Sequence, residues 1–168
     1  PKAWFSYPSR LQSLLGGDYE VHNYGQAGAT VSRPSADQYS KGLKFEESIS
    51  RNHEYFIFML GTNDSKDFSD DFFGEYQSLI EKYNVSSEDK VILCTPPTAF
   101  SDGWGIDKGL VSTSICVKIV ELAEEKGYKL LDVNHIMNTA IFFQDDGIHF
   151  NDDGANHLAN LLKKTLFD

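Results

Sequence analysis

Tyr55-Phe56-Ile57-Phe58-Met59-Leu60, followed at once by Gly61-Thr62-Asn63-Asp64, is the stretch that decides the fold. A strand with one wet face alternates apolar and polar residues. An unbroken apolar run instead fits a strand covered on both faces, as in a parallel sheet flanked by helices. The abrupt change to Gly, Thr, Asn and Asp marks a turn at the strand's end. In parallel α/β sheets, ligands gather beyond the C-terminal strand ends, so this turn is a first place to look for chemistry.

Working outward, strand and helix patterns alternate along the whole chain, the signature of an α/β sheet. Residues 70–83 place Phe72, Tyr76, Leu79, Ile80 and Tyr83 at helical spacing. Lys90–Cys94 reads as a strand ending at Thr95-Pro96-Pro97, and a polar, Gly-rich loop carrying Trp104 leads to a helix over 108–126 closed by Gly127. Tyr128–Val133 is the last expected strand, and 153–166 the last helix, burying Leu158, Leu161, Leu162 and Leu166. Toward the N-terminus, Pro8 suits a first helical turn and Gly16-Gly17 its end. A further strand is expected near Tyr19–Tyr24, then a loop NYGQAGAT and a weak helix over 35–50 interrupted by Gly42. With no repeat or linker, the 168 residues read as one domain.

The net charge of −10 argues against a nucleic-acid backbone or an anionic membrane as partner, since both repel it. No apolar run approaches the ~20 residues needed to span a bilayer. Two cysteines are too few for a disulfide framework, and Cys94 and Cys116 read as buried thiols rather than a bridge. The start PKAWFSYP does not read as a signal peptide and lacks an initiator Met, which leaves localisation open.

Candidate chemistry lies in the loops after the strands. Asp146 stands three residues before His149 with Gly147 between, a spacing that lets the carboxylate fold back onto the imidazole. A general-base histidine needs such a partner to fix its tautomer and stabilise its charged form. Taken alone, the same stretch reads more readily as the acidic start of the last helix. Asn63 can aim an amide donor at a developing oxyanion, although Gly-Thr-Asn-Asp is also an ordinary turn composition. Gly28 can bring a bare N–H up to the same oxygen, or it is simple backbone permissiveness. Trp104 is placed to wall a substrate pocket, or it packs within its loop.

Together, NYGQAGAT, GTND and DGIH, in this order and at these separations, closely resemble conserved blocks of the SGNH (GDSL) hydrolase family. The resemblance covers essentially the whole chain. It implies a flavodoxin-like α/β/α three-layer sandwich with a parallel sheet, and serine-dependent ester hydrolysis through an acyl-enzyme, without cofactor or metal. It implies Gly28 and Asn63 as oxyanion-hole donors, His149 as general base and Asp146 as its orienting acid. The loop TPPTAFSDGWGI is similar to those of members acting on O-acetylated carbohydrates, which makes small acyl esters, acetylated sugars first, the expected substrates.

The family's Gly-Asp-Ser block, which supplies the nucleophile, has no counterpart in these residues. Ser6 and Ser9 sit in what looks like the helix that follows that block, so neither is expected to be the nucleophile. Phe150 stands where the family often has proline. In the flavodoxin-like order 2-1-3-4-5 the first strand is central. The recognisable strands correspond to the second through fifth. An additional segment is therefore expected, upstream or from another chain, inserted between Tyr19–Tyr24 and Tyr55–Leu60 and ending in the serine. The alternative is a non-catalytic pseudo-enzyme or a cofactor-binding module of the same fold. A calcium loop around Asp145–Asp153 would place Asn160 where a bidentate Glu belongs. His149 and His157 lack the spacing of a zinc pair. His22, His53 and His135 match no motif and read as surface or structural residues.

Overall fold

Alternation within β2 (Val91–Cys94) sets the layers of the molecule. Val91 and Leu93 point into one buried cluster, Ile92 and Cys94 into another, and all four are fully buried. This is the both-faces-covered strand that an all-apolar sequence requires. The computed structural model describes residues 6–33 and 35–168.

Among these residues α1 (Tyr7–Leu15), α2 (Leu43–Ile49), β1 (Phe56–Phe58), α3 (Phe72–Ile80) and β2 come in order. A helical run then starts at Lys108–Leu110, passes through a π-helical turn at Val111–Ile115 and continues as α4 (Cys116–Lys126). β3 (Lys129–Leu131), α5 (Val133–Ile136) and α6 (Asp152–Phe167) complete the chain. The sheet is parallel with order β1-β2-β3 and in-register pairs Phe56–Val91 and Ile92–Lys129.

α1 and α6 cover one face, where Leu11 meets Leu158 and Leu162, while α3, the π-helical turn and α4 cover the other with Tyr76, Ile115 and Ile119. The parallel sheet between helical layers is the expected α/β sandwich. Cys94 and Cys116 are free buried thiols, each pushed up to about 12 by burial. No helix among the described residues is long and apolar enough to cross a membrane.

The helices begin and end close to where the sequence places them. Gly127, at φ +72°, ends α4 in the left-handed conformation typical of a glycine cap. The weak 35–50 helix resolves into a 3-10 turn Tyr39–Lys41 and α2, parted at Gly42.

One expectation needs correction. Tyr19–Tyr24 forms no strand ladder. Between residues 18–26 and 52–60 runs a groove of about 480 Å³, lined by Leu11, Val21, Tyr24, Phe56 and Phe58 among others. The segment has strand-like composition, but a ladder needs an adjacent backbone, and the groove keeps it away from β1. β1 is correspondingly short, pairing with β2 on one edge and facing the groove on the other.

Candidate functional site

His149 and Asp146 are brought together by a tight loop between β3 and α6. Phe143 and Phe150 form an antiparallel bridge, Gln144 N–H donates to the His149 carbonyl at 2.8 Å, and Gly147 N–H donates to the Gln144 carbonyl at 2.9 Å. Closing so short a loop forces Gly147 to φ +68°, where a Cβ would also press on Phe100 at 3.2 Å. Asn151 then starts α6: its Oδ1 accepts from Gly154 N–H, while its amide donates to the carbonyls of Ile141 and Phe143.

Inside this loop Asp146 is fully engaged. Oδ1 accepts from the N–H groups of Ile148 and His149, both at 2.9 Å, and Oδ2 lies 2.7 Å from His149 Nδ1. Desolvation pushes the Asp146 carboxyl up, but the two backbone N–H groups and the imidazole outweigh it and hold the carboxyl below the usual carboxylate range. An ionised Asp146 fixes the proton on Nδ1, which leaves Nε2 of the exposed His149 to exchange a proton with a reactant.

The second half of the site is the turn after β1. Gly61 sits at φ +124°, and a Cβ there would lie 2.7 Å from Ile115 Cγ2 in the π-helical turn, so only glycine lets the chain pass. Asn63 opens a 3-10 turn over Asn63–Lys66, and its amide donates to the Ala29 carbonyl at 3.3 Å. That contact places it beside Gly28, which has φ +77° and open space on the side a Cβ would occupy. One hydrogen of the Asn63 amide is used, and the other is free for a ligand.

What locks these two turns together is Asp64, which the sequence presents only as a turn residue. It is 1% exposed. Oδ1 accepts from Val31 N–H, Ser32 N–H and Ser32 Oγ–H, and Oδ2 also accepts from Val31 N–H, over 2.7–3.1 Å. Burial raises its carboxyl, opposed by the Ser32 and Val31 hydrogen bonds.

A third loop ties the halves. Phe100 N–H donates to the Gly147 carbonyl, and Ser101 Oγ–H donates to the Asp146 carbonyl at 2.6 Å. At the loop's other end Asp107 N–H donates to Ser65 Oγ at 3.0 Å. The loop thus spans from the histidine turn to the asparagine turn, with Trp104 exposed between them. The sequence alone carries no signal that marks Asp64, Ser32, Ser65 or Ser101 as positioning residues.

The structure therefore pairs His149 with Asp146 and Gly28 with Asn63, and joins the pairs through the Trp104 loop. Ser9 lies in the first turn of α1, and its Oγ–H donates to the Ser6 carbonyl. His22 and His53 line the groove, with rings 5.5 Å apart, and His135 is exposed on α5. His157 stacks on Phe142 at 4.7 Å, away from any ligating role with His149.

Known proteins share this fold. An acetylxylan esterase from Xylanibacter ruminicola is 26% identical over 184 aligned positions, covering 96% of this chain and 38% of that protein. The chain thus spans well under half the length of that curated relative. A carbohydrate acetylesterase from Sinorhizobium meliloti superposes with a TM-score of 0.78 at 17% identity, covering 98% of this chain and 85% of the other. The aryl esterase of M. smegmatis gives 0.74 at 21% identity, covering 97% and 86%. At such identities these structures establish the shared fold. The model of the GDSL-like lipase/acylhydrolase family matches residues 1–156, and with that match over nearly its whole length the chain belongs to this family.

Proposed function

We propose that this chain is the body of a serine esterase that removes small acyl groups, O-acetyl groups on carbohydrates first among them, through an acyl-enzyme. The observation that carries this reading is the Asp146 carboxylate, which holds His149 Nδ1 at 2.7 Å while two backbone N–H groups occupy its other oxygen. Such an arrangement fixes one tautomer and stabilises the imidazolium that proton abstraction creates.

In this reading a serine hydroxyl attacks the ester carbon while His149 Nε2 takes its proton. The carbonyl oxygen, now negative, meets the free amide hydrogen of Asn63 and the N–H of Gly28. Collapse of the tetrahedral intermediate expels the sugar hydroxyl, which leaves with the proton held on His149. Water then repeats the sequence against the acyl-serine, with His149 again as base and then acid. The acetylated-carbohydrate class is supported by the names of two similar proteins, an acetylxylan esterase and a carbohydrate acetylesterase.

The serine is assigned to an extended segment lying in the groove beside β1. Backbone groups on that edge of β1 have no strand partner among the described residues, and the groove offers apolar side chains from both sides, Leu11 and Val21 on one and Phe56 and Phe58 on the other. An apolar strand meets both demands, since it pairs the edge and fills the walls. At one end the groove is lined by Gly25, Gln26 and Leu60, which lead directly into Gly28 and the Gly61–Asn63 turn. A serine at that end of the strand stands beside the oxyanion donors.

The test uses the intact natural protein with p-nitrophenyl acetate and a fluorophosphonate probe. Turnover and covalent labelling of one serine are expected, with His149→Ala losing several orders of magnitude in turnover. Turnover by His149→Ala at the parent rate would refute the base assignment. Binding of acetylated glycans without turnover or labelling would move the non-catalytic alternative to the front.

A further inference from the structure

Trp104 is held in a conformation that its own packing does not explain. Among the described residues it is the only non-glycine with positive φ, at φ +61° and ψ +17°. For a bulky L-residue the left-handed region costs roughly 1–2 kcal/mol. Burial does not repay that strain, because the residue is 73% exposed. Strain that persists without packing belongs to a site rather than to the core.

The base of the loop is rigid where the indole is not covered. Ile106 is buried with Ala99, Val111 and Cys116, and Ile148 of the histidine turn packs against the same cluster. Ser101 and Phe100 anchor one side to Asp146 and Gly147, and Asp107 anchors the other to Ser65. The indole is therefore displayed at a fixed place between the two halves of the site. Next to it, Asp102 and Lys108 are exposed and 3.6 Å apart, offering an acceptor and a donor beside an apolar plane.

Resting on the esterase reading above, we propose that Trp104 is a stacking platform for a pyranose ring of a neutral oligosaccharide, adjacent to the sugar that carries the acetyl group. One face of a pyranose presents C–H groups that suit a flat aromatic surface, while its rim of hydroxyls suits Asp102 and Lys108. The chain's charge of −10 disfavours acidic polysaccharides, so the glycan is uncharged. A small aryl ester has no second ring to stack. The contact therefore adds selectivity for chains of sugars over simple acetates, binding energy drawn from a part of the substrate remote from the reacting bond.

The intact protein is assayed with acetylated xylotetraose and with p-nitrophenyl acetate, and its affinity for unacetylated xylotetraose is measured by calorimetry. In Trp104→Ala the ratio of kcat/KM for the tetrasaccharide to that for the aryl ester should fall roughly tenfold, mainly through KM, and affinity for xylotetraose should fall by a similar factor. Trp104→Phe should keep both within about threefold, since it retains an aromatic face. An unchanged ratio and affinity in Trp104→Ala, or equal losses on both substrates with affinity intact, would overturn the proposal. A parent that hydrolyses the aryl ester but neither binds nor hydrolyses the tetrasaccharide also overturns it. A parent inert toward both esters yet binding xylotetraose through Trp104 would sink the esterase reading and sustain the platform.

Discussion

Removing the Asp64 carboxylate should damage both stability and turnover, by amounts that follow from its partners. Asp64→Ala leaves two buried backbone N–H groups, those of Val31 and Ser32, without acceptors, since both currently donate to Asp64. At about 1–3 kcal/mol for each stranded group, the loss is about 2–6 kcal/mol, a large part of an ordinary domain's 5–15 kcal/mol. The Ser32 hydroxyl can rotate to another acceptor and adds less. Asp64→Asn is milder: with its oxygen in the Oδ1 place it keeps three of the four contacts and loses only the Val31–Oδ2 contact at 3.1 Å, costing about 1 kcal/mol. Urea denaturation of the intact protein measures both. Because burial raises the Asp64 carboxyl, its contribution to stability is fully present below the ordinary aspartate range and is lost as pH rises through the raised folded value. The difference in stability between parent and Asp64→Asn should therefore shrink from acid toward neutral pH. Turnover should fall roughly 10- to 100-fold in Asp64→Ala, since the Gly28 and Asn63 donors lose their common anchor. An Asp64→Ala protein within 1 kcal/mol of the parent, turning over at the parent rate, would refute this account.

Asn63→Ala should lower kcat by roughly 10²–10³ with KM nearly unchanged, because its amide meets the oxygen only as charge develops; a change confined to KM would make Asn63 a ground-state ligand. Asp146→Asn should cost roughly 10²–10⁴ in kcat, less than His149→Ala, as read with p-nitrophenyl acetate. With the Asp146 carboxyl held below the usual range, its pairing with His149 contributes stability above that range and loses it only as pH falls through the lowered folded value. Gly61→Ala should cost about 1–3 kcal/mol in thermal or urea unfolding, because φ +124° and the Ile115 methyl both oppose a Cβ; parent stability would contradict that geometry.

The strands that the sequence reveals are those whose side chains see cover on both faces. Phe56 and Phe58 enter one cluster while Tyr55, Ile57 and Met59 pack against the other, so Tyr55–Leu60 is apolar throughout and readable by eye. Tyr19–Tyr24 looks equally strand-like, yet its composition is a local property and a ladder is not. Whether it pairs depends on what lies in the groove beside it. Helix ends were legible for the opposite reason, since the caps at Gly16 and Gly127 act within a few residues of themselves.

The same distinction separates the two aspartates that build the site. Asp146 grips groups two and three residues ahead, in its own turn, so its spacing to His149 with Gly147 between announces it. Asp64 performs the same operation, a carboxylate gathering backbone N–H groups, but on Val31 and Ser32 more than thirty residues earlier. Nothing in Gly-Thr-Asn-Asp distinguishes such a clamp from a solvated turn, because its partners are chosen by the fold. The sequence picks out Trp104 but hides its conformation in the same way, since a left-handed φ leaves no trace in Gly-Trp-Gly beyond the glycines that flank it. The chemical groups of this site are thus set by short motifs, while the distances between them are set by long-range hydrogen bonds. Variants at Asp64 or Ser101 should accordingly disturb catalysis by misplacing groups they never replace.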